Sequence, residues 1–142
     1  MFSKTANYAI RALIYIHSVS IHEERVDLTS IAQKIGAPQY FMAKIMQKLV
    51  KAGLVSSIKG PHGGFYVTPK QHKVRAIEVI SLFEDNEFLT GCALGLPYCS
   101  DSNPCPVHHQ YASIRTQILN WLRNVSIREL GEKLKNGARI GL

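Results

Sequence analysis

The sequence predicts a mainly α-helical fold carrying one small β-hairpin and a long late helix. Three observations support this. Apolar residues recur at steps of three and four through the first fifty residues and again from 107 to 125. Between these segments, LVSSIKGPHGGFYVTPK alternates apolar and polar residues on either side of Gly60-Pro61-His62-Gly63-Gly64, as a hairpin requires. At 142 residues and 46% hydrophobic content, the chain has material for one modest core plus an appended helix.

The elements follow in order. SKTANYAIRALIYIHSV places Ala6, Ile10, Leu13 and Ile14 on one helical stripe, with Tyr8 and Arg11 on other faces. After the polar break IHEERVD, Asp27 is positioned to cap a short helix whose stripe is Leu28, Ile31, Ala32 and Ile35, and Gly36 can end it left-handed. Pro38 restarts the chain, and QYFMAKIMQKLVKAG runs to Gly53. On this third helix Phe41, Met42, Ile45, Leu49 and Val50 group together, while Tyr40, Ala43, Lys44, Gln47, Lys48 and Lys51 occupy the remainder. Strands are expected over 54–58 and 65–68, with Lys59 at the hairpin tip. A fourth helix is expected in VRAIEVISLFEDNEF. Val107, Tyr111, Ile114, Ile118, Trp121, Leu122 and Val125 then mark about five turns of a long helix. With no equally long partner in the same chain, that stripe is expected to meet its copy in a second subunit. Ser126 can cap a last short helix, IRELGEKL, and the tail NGARIGL carries no readable signal.

Helix, short helix, basic helix and hairpin in this order make a winged helix-turn-helix, which sets its recognition helix in the DNA major groove. Charge supports this independently. The net charge is +7, yet residues 28–77 hold eight Lys and Arg and no Asp or Glu. An acid-free span of this length suits a polyanion, and double-stranded DNA is the expected partner. No segment is apolar for long enough to span a membrane, and no leader-like N-terminus is present, so a cytoplasmic setting is expected. Paired carboxylates and a phosphate-binding loop are both missing from the sequence. Gly60–Gly64 is glycine-rich but leads into a strand, so an enzyme is not expected.

The chemistry concentrates in TGCALGLPYCSDSNPCPVHH, which contains all three cysteines. Their spacing is Cys92-x6-Cys99-x5-Cys105-x2-His108, with His109 adjacent. Three thiolates and an imidazole suit zinc or an iron–sulfur cluster rather than magnesium or calcium. Zinc knuckles present ligand pairs two to four residues apart, and only Cys105 and His108 are that close. The longer gaps favour a loop wrapped around a cluster, with zinc and bare redox-sensing thiols as alternatives.

These features together resemble the IscR and NsrR type of winged-helix transcription regulators of the Rrf superfamily. FSKTANYAIRAL is similar to the family's first helix, QYFMAKIMQKLVKAGLVSSIKGPHGGFYV to its recognition helix and wing, and the three-cysteine loop precedes its dimerisation helix. The resemblance implies a homodimer on a pseudo-palindromic operator, with an iron–sulfur cluster held by Cys92, Cys99 and Cys105. A two-iron cluster is favoured over a four-iron one. In IscR-like members a histidine three residues after the last cysteine completes the set, here His108. NsrR-like members use an acidic residue near the start of the first helix, and here no Asp or Glu precedes Glu23. Two departures stand out: the first gap is six residues where five is the family's usual spacing, and Asn7 stands where a basic residue is typical.

The expected organisation is therefore a winged helix-turn-helix over 1–83, a cluster loop over 84–106, and a dimerisation helix and tail over 107–142. The expected function is that of a transcription regulator, a repressor, whose operator affinity is controlled by the cluster in response to nitric oxide, redox state or iron–sulfur supply. Gln39, Tyr40, Ala43, Lys44 and Gln47 would face base edges, Lys48 and Lys51 the phosphates, and Lys59 and His62 the adjacent minor groove. The alternative is a zinc or thiol switch on a winged helix that acts through DNA or an acidic protein partner.

Overall fold

A computed structural model describes residues 2–20 and 24–141; Ile21, His22 and Glu23 of the expected polar break lie outside the described residues. The elements run α1 (Lys4–Ser20), α2 (Leu28–Ile35), α3 (Gln39–Lys51), β1 (Ser56–Ile58), β2 (Gly64–Tyr66), a 3-10 turn (Pro69–Lys73), α4 (Ala76–Phe83), α5 (Asn86–Thr90), α6 (His108–Asn124) and α7 (Ile127–Lys135). Mainly helical, with one two-stranded antiparallel sheet, this is the expected winged-helix architecture.

α1 runs through the centre of the core. Ala6, Ala9, Ala12, Leu13 and Ile16 are fully buried, and the helix packs against α2, α3, α4 and α7. The buried arc is therefore wider than the expected stripe and includes Tyr8, whose ring meets Phe41 edge-on at 6.0 Å. Asp27 caps α2 as expected, its two carboxylate oxygens accepting from the Ser30 amide at 2.9 Å and hydroxyl at 2.6 Å. Gly36 closes the helix at φ 74°. α3 buries Met42, Ile45, Met46 and Leu49, an i, i+3, i+4, i+7 set. Phe41 and Val50 are only half-buried, so the core stripe is rotated toward Met46 relative to the grouping read from the sequence.

The wing is shorter than expected, with Ser56 facing Tyr66, Ser57 facing Phe65 and Ile58 facing Gly64. The outer edge of β2 is paired as well, in an isolated antiparallel bridge in which Val26 exchanges both backbone bonds with Phe65, at 2.9 and 2.8 Å. The turn depends on glycine at Gly63, where a Cβ would stand 2.2 Å from the Ile58 carbonyl oxygen. Gln71, buried in the 3-10 turn, ties the wing to the end of α3. Its amide donates to the Gly53 carbonyl at 3.1 Å and to Ser56 Oγ at 3.0 Å, and its oxygen accepts from the Thr68 amide at 2.8 Å. Leucine at this position is expected to leave the Gly53 carbonyl and Thr68 amide unpaired, costing about 1–3 kcal/mol in a urea titration. Unchanged stability would show that water replaces Gln71.

The expected fourth helix is divided. α4 stops at Phe83, Glu84 is extended at φ −108°, and a separate α5 follows. The Glu84 carboxylate accepts from the Ser3 amide at 2.5 Å, so it serves the positive end of α1 instead of continuing its own helix. α6 also divides its stripe. Leu122 is fully buried in this chain's own core and Ile118 and Val125 pack beside it, while Ile114 and Trp121 remain 53% and 48% exposed. Ser126 and Glu129 form the capping box of α7, at 3.1 and 2.8 Å. The tail is anchored: Arg11 donates to the Ile140 carbonyl and to the Ile35 carbonyl at the end of α2, each at 2.8 Å.

His17 is 1% exposed where α1 meets α7, and neither ring nitrogen has a hydrogen-bond partner among the described residues. Burial, then the charges of His72 and Arg128, bring its pKa down to about 4. In the unfolded chain it titrates near 6.5, so below that value the unfolded state binds a proton that the native state refuses. Stability is full above pH 6.5 and falls as pH drops toward 4, by about 3 kcal/mol over the window. His17→Leu is expected to flatten this part of the pH–stability curve, and an unaltered slope would assign it to other groups.

Candidate metal centre and nucleic-acid interface

The loop between α5 and α6 is shaped by residues that prevent regular structure. Gly95 turns the chain at φ 68°, its amide donating to the Cys92 carbonyl at 3.0 Å, and Pro97, Pro104 and Pro106 interrupt the rest. The His108 amide then donates to the Cys105 carbonyl at 3.0 Å, so the last two expected ligands sit on the turn that opens α6.

All three cysteines are half-buried and carry no disulfide. The Cys92 and Cys105 sulfurs are 4.0 Å apart, and Cys99 Sγ is 3.3 Å from His108 Nδ1. Backbone amides of Leu94 and Leu96, then the neighbouring thiols of Cys105 and Cys99, hold the Cys92 thiol below its usual range. The loop therefore brings the expected ligands together as two pairs, Cys92 with Cys105 and Cys99 with His108. Cys92 and Cys99 also line a cleft of about 710 Å³ shared with Glu87, Thr90 and Tyr98.

The two adjacent histidines differ. His108 is 5% exposed, with Nδ1 toward Cys99 and Nε2 held by Asp101 Oδ1 at 2.7 Å, while His109 is exposed and meets it edge-on at 5.2 Å. An Nε2–H donated to Asp101 leaves Nδ1 as the lone-pair nitrogen on the sulfur side, the tautomer a metal needs. The His108 hydrogen bond, followed by His108's charge, holds the Asp101 carboxyl below its usual range. Sequence reasoning did not include Asp101, which lies between Cys99 and Cys105 without any ligand spacing to mark it. Asp101, His108 and His109 bring their ligand atoms within 4.8 Å of one another, a second donor set of a kind zinc accepts. Arg115 of α6 also reaches the loop, donating to Cys99 Sγ at 3.6 Å.

On the winged domain, the outer side of α3 carries Tyr40, Lys44, Gln47, Lys48 and Lys51, all exposed, with Ala43 half-buried among them. Tyr40 is 72% exposed. Two residues have intramolecular partners: Gln39 donates to Thr29 Oγ1 at 3.1 Å, and the Lys48 ammonium lies 4.8 Å over the Phe83 ring. Lys59 and His62 are exposed on the wing. Arg25, which sequence reasoning passed over, donates to the His62 carbonyl at 3.2 Å and adds a cation beside the wing. Its role depends on a contact 37 residues away, invisible to local pattern.

The chain thus combines a winged helix whose α3 is cationic on its outer side with a thiol-rich loop and a long helix. The chain belongs to the Rrf2 family, described as iron-dependent transcriptional regulators, which matches residues 2–133. It is 35% identical over 133 residues to an HTH-type transcriptional regulator of Aquifex aeolicus, covering 92% of this chain and 90% of that one. It is 28% identical over 125 residues to the HTH-type transcriptional regulator IscR of Vibrio campbellii, covering 87% and 72%. Among solved structures, the fold is shared with CymR, the global cysteine regulator of B. subtilis, at a TM-score of 0.74 and 22% identity over 94% of this chain and 97% of that one. It is also shared with T. potens IscR at 0.69 and 20% identity, over 97% and 88%. These relatives are transcription regulators and not enzymes. No described helix is long and apolar enough to cross a membrane.

Proposed function

We propose that the protein is a homodimeric, DNA-binding repressor whose operator affinity is set by an iron–sulfur cluster held by Cys92, Cys99, Cys105 and His108. The observation that carries this reading is the approach of Cys99 Sγ to His108 Nδ1 at 3.3 Å and of Cys92 to Cys105 at 4.0 Å, on a loop that opens directly into α6. Soft sulfurs with one oriented imidazole fit such a cluster, which when bound supplies a centre sensitive to oxidants, nitric oxide and iron supply. Asp101 orients His108, and the exposed Ile114 and Trp121 of α6 are the residues a second copy would cover. The domain assignment follows from the same reading: winged helix over 1–83, cluster loop over 84–106, dimer helix and tail over 107–142. Tyr40, Ala43, Lys44 and Gln47 face the operator's major groove and Lys51 its phosphates, while Lys59 and His62 reach the neighbouring minor groove. Gln39 and Lys48 take part by exchanging their internal partners for DNA.

The test is purification without air. Visible absorption with iron and sulfide in proportion to protein, and an operator affinity that changes when they are removed, are expected. Colourless protein with stoichiometric zinc would overturn the cluster, and the Asp101, His108 and His109 donors would then be the place to look for the ion.

A further inference from the structure

We infer that Arg115 is the positioning residue that joins the sulfur donors to α6 and sets the charge at Cys99, an inference that rests on the cluster reading above. Arg115 stands two turns into α6, and its Nη1 reaches back to three acceptors: the Gly91 carbonyl at 2.7 Å, the Thr90 carbonyl at 2.9 Å and Cys99 Sγ at 3.6 Å. Its guanidinium also lies 5.8 Å over the Tyr111 ring of the same helix. One side chain thus holds the end of α5, the middle cysteine and the long helix in a fixed relation.

Charge makes the position distinctive. Between Arg75 and Arg115 the sequence contains no Lys or Arg, while Glu78, Glu84, Asp85, Glu87 and Asp101 are all acidic. Three thiolates gathered around a metal add further negative charge. Within this stretch, Arg115 is the sole fixed cation placed to offset that charge. A guanidinium N–H on a ligating sulfur stabilises the more negative, reduced state of a centre and so raises its reduction potential. The same group carries any shift of Cys99 directly into α6, because its two loop carbonyls and its own helix cannot move independently of it. A lysine would keep the charge but lose the planar guanidinium that lies over the Tyr111 ring while its Nη1 serves the three acceptors.

The experiment compares the full-length protein, loaded anaerobically, with Arg115→Gln and Arg115→Lys. Midpoint potential is read by dithionite titration, and operator affinity is read in the loaded and metal-free forms. Arg115→Gln is expected to keep visible absorption but show a more negative potential. Its operator affinity should cease to depend on loading, from the roughly 5- to 150-fold that allosteric coupling commonly spans toward unity. Arg115→Lys should recover much of the potential without recovering the operator response. A merely structural role would lower the melting temperature without moving the potential. Wild-type potential and an undiminished response in Arg115→Gln would overturn the inference while leaving the cluster in place, whereas colourless wild-type protein would remove both readings. If Arg115→Gln fails to fold, a lysine variant identical to wild type in both readouts is the overturning result.

Discussion

Cys99→Ala is expected to abolish visible absorption and the operator's response to loading, while leaving the winged domain folded. Loss of a supporting residue around a metal costs about 10- to 100-fold in affinity, and loss of a ligand exceeds that. Cys99 is the hinge of the set, since its sulfur lies 3.3 Å from His108 Nδ1 and accepts from Arg115 at 3.6 Å. The fold has little at stake there: the side chain is half-buried in a loop that contributes nothing to the apolar core. Metal-free Cys99→Ala should therefore unfold within about 0.5 kcal/mol of metal-free wild type. The adjacent histidines offer the sharper contrast. His108→Ala should behave like Cys99→Ala, and His109→Ala like wild type, because only His108 is buried with Nδ1 toward a cysteine. Iron and sulfide analysis of the four proteins checks this, and a fully loaded His108→Ala would assign the fourth position elsewhere.

Removing two charges from the recognition helix is expected to produce the other large effect. Lys44 and Lys51 are exposed on the outer side of α3, and neither has an acidic residue near it in sequence from 28 to 77. If each cation displaces one condensed counterion, Lys44 from the groove and Lys51 at a phosphate, Lys44→Ala with Lys51→Ala should reduce the slope of log affinity against log salt by about 1.8. The Lys51 part of the loss should fall equally on operator and unrelated DNA, and the Lys44 part more heavily on the operator, whose base edges Lys44 faces. Gln47→Ala should instead lower operator affinity by about 1–3 kcal/mol with little effect on the salt slope, as expected for a side chain reading a base edge. Lys48→Ala should fall between, because its ammonium gives up the Phe83 ring, 4.8 Å away, to meet a phosphate. Fluorescence anisotropy with labelled duplexes over a salt series measures all of these, and a flat salt response of the wild type would remove DNA as the ligand of this face.

Much of this architecture was legible because its signals are local. Asp27, Gly36, Ser126 and the Gly60–Gly64 turn act on neighbours within a few residues, and the structure uses them as helix caps and turn. What escaped depends on contacts distant in sequence. Glu84 leaves its helix for the amide of Ser3, 81 residues away, and no periodicity in VRAIEVISLFEDNEF marks the break. Arg11 reads as a surface charge, yet it binds the Ile140 carbonyl 129 residues on. The α6 stripe was visible in full, but its division between Leu122, which stays in its own core, and Ile114 and Trp121, which do not, required the packing of α6 on α4. In the loop, ligand-type residues announced themselves by composition. Asp101 and Arg115 did not, because a single carboxylate and a single cation acquire meaning only from what lies within reach.

The two ends of α6 are held very differently, and this has a mechanical consequence. At the C-terminal end, Leu122 is fully buried, Val125 accepts from the Ala76 amide at 3.1 Å, and Ile127 donates to the Val74 carbonyl at 2.9 Å. At the other end the helix is held through the cysteine loop and through Arg115, which donates to the Thr90 and Gly91 carbonyls at the end of α5. Seventeen residues make a rod of about 25 Å, so α6 is a lever with its fulcrum on the winged domain and its load at the sulfurs. A tilt of about 5° at the fulcrum corresponds to about 2 Å at the far tip over that length. In the dimer proposed above, a small rearrangement of thiols would be geared down into a fine rotation of the domain carrying α3, the scale on which two such helices would fall into or out of step with one turn of DNA.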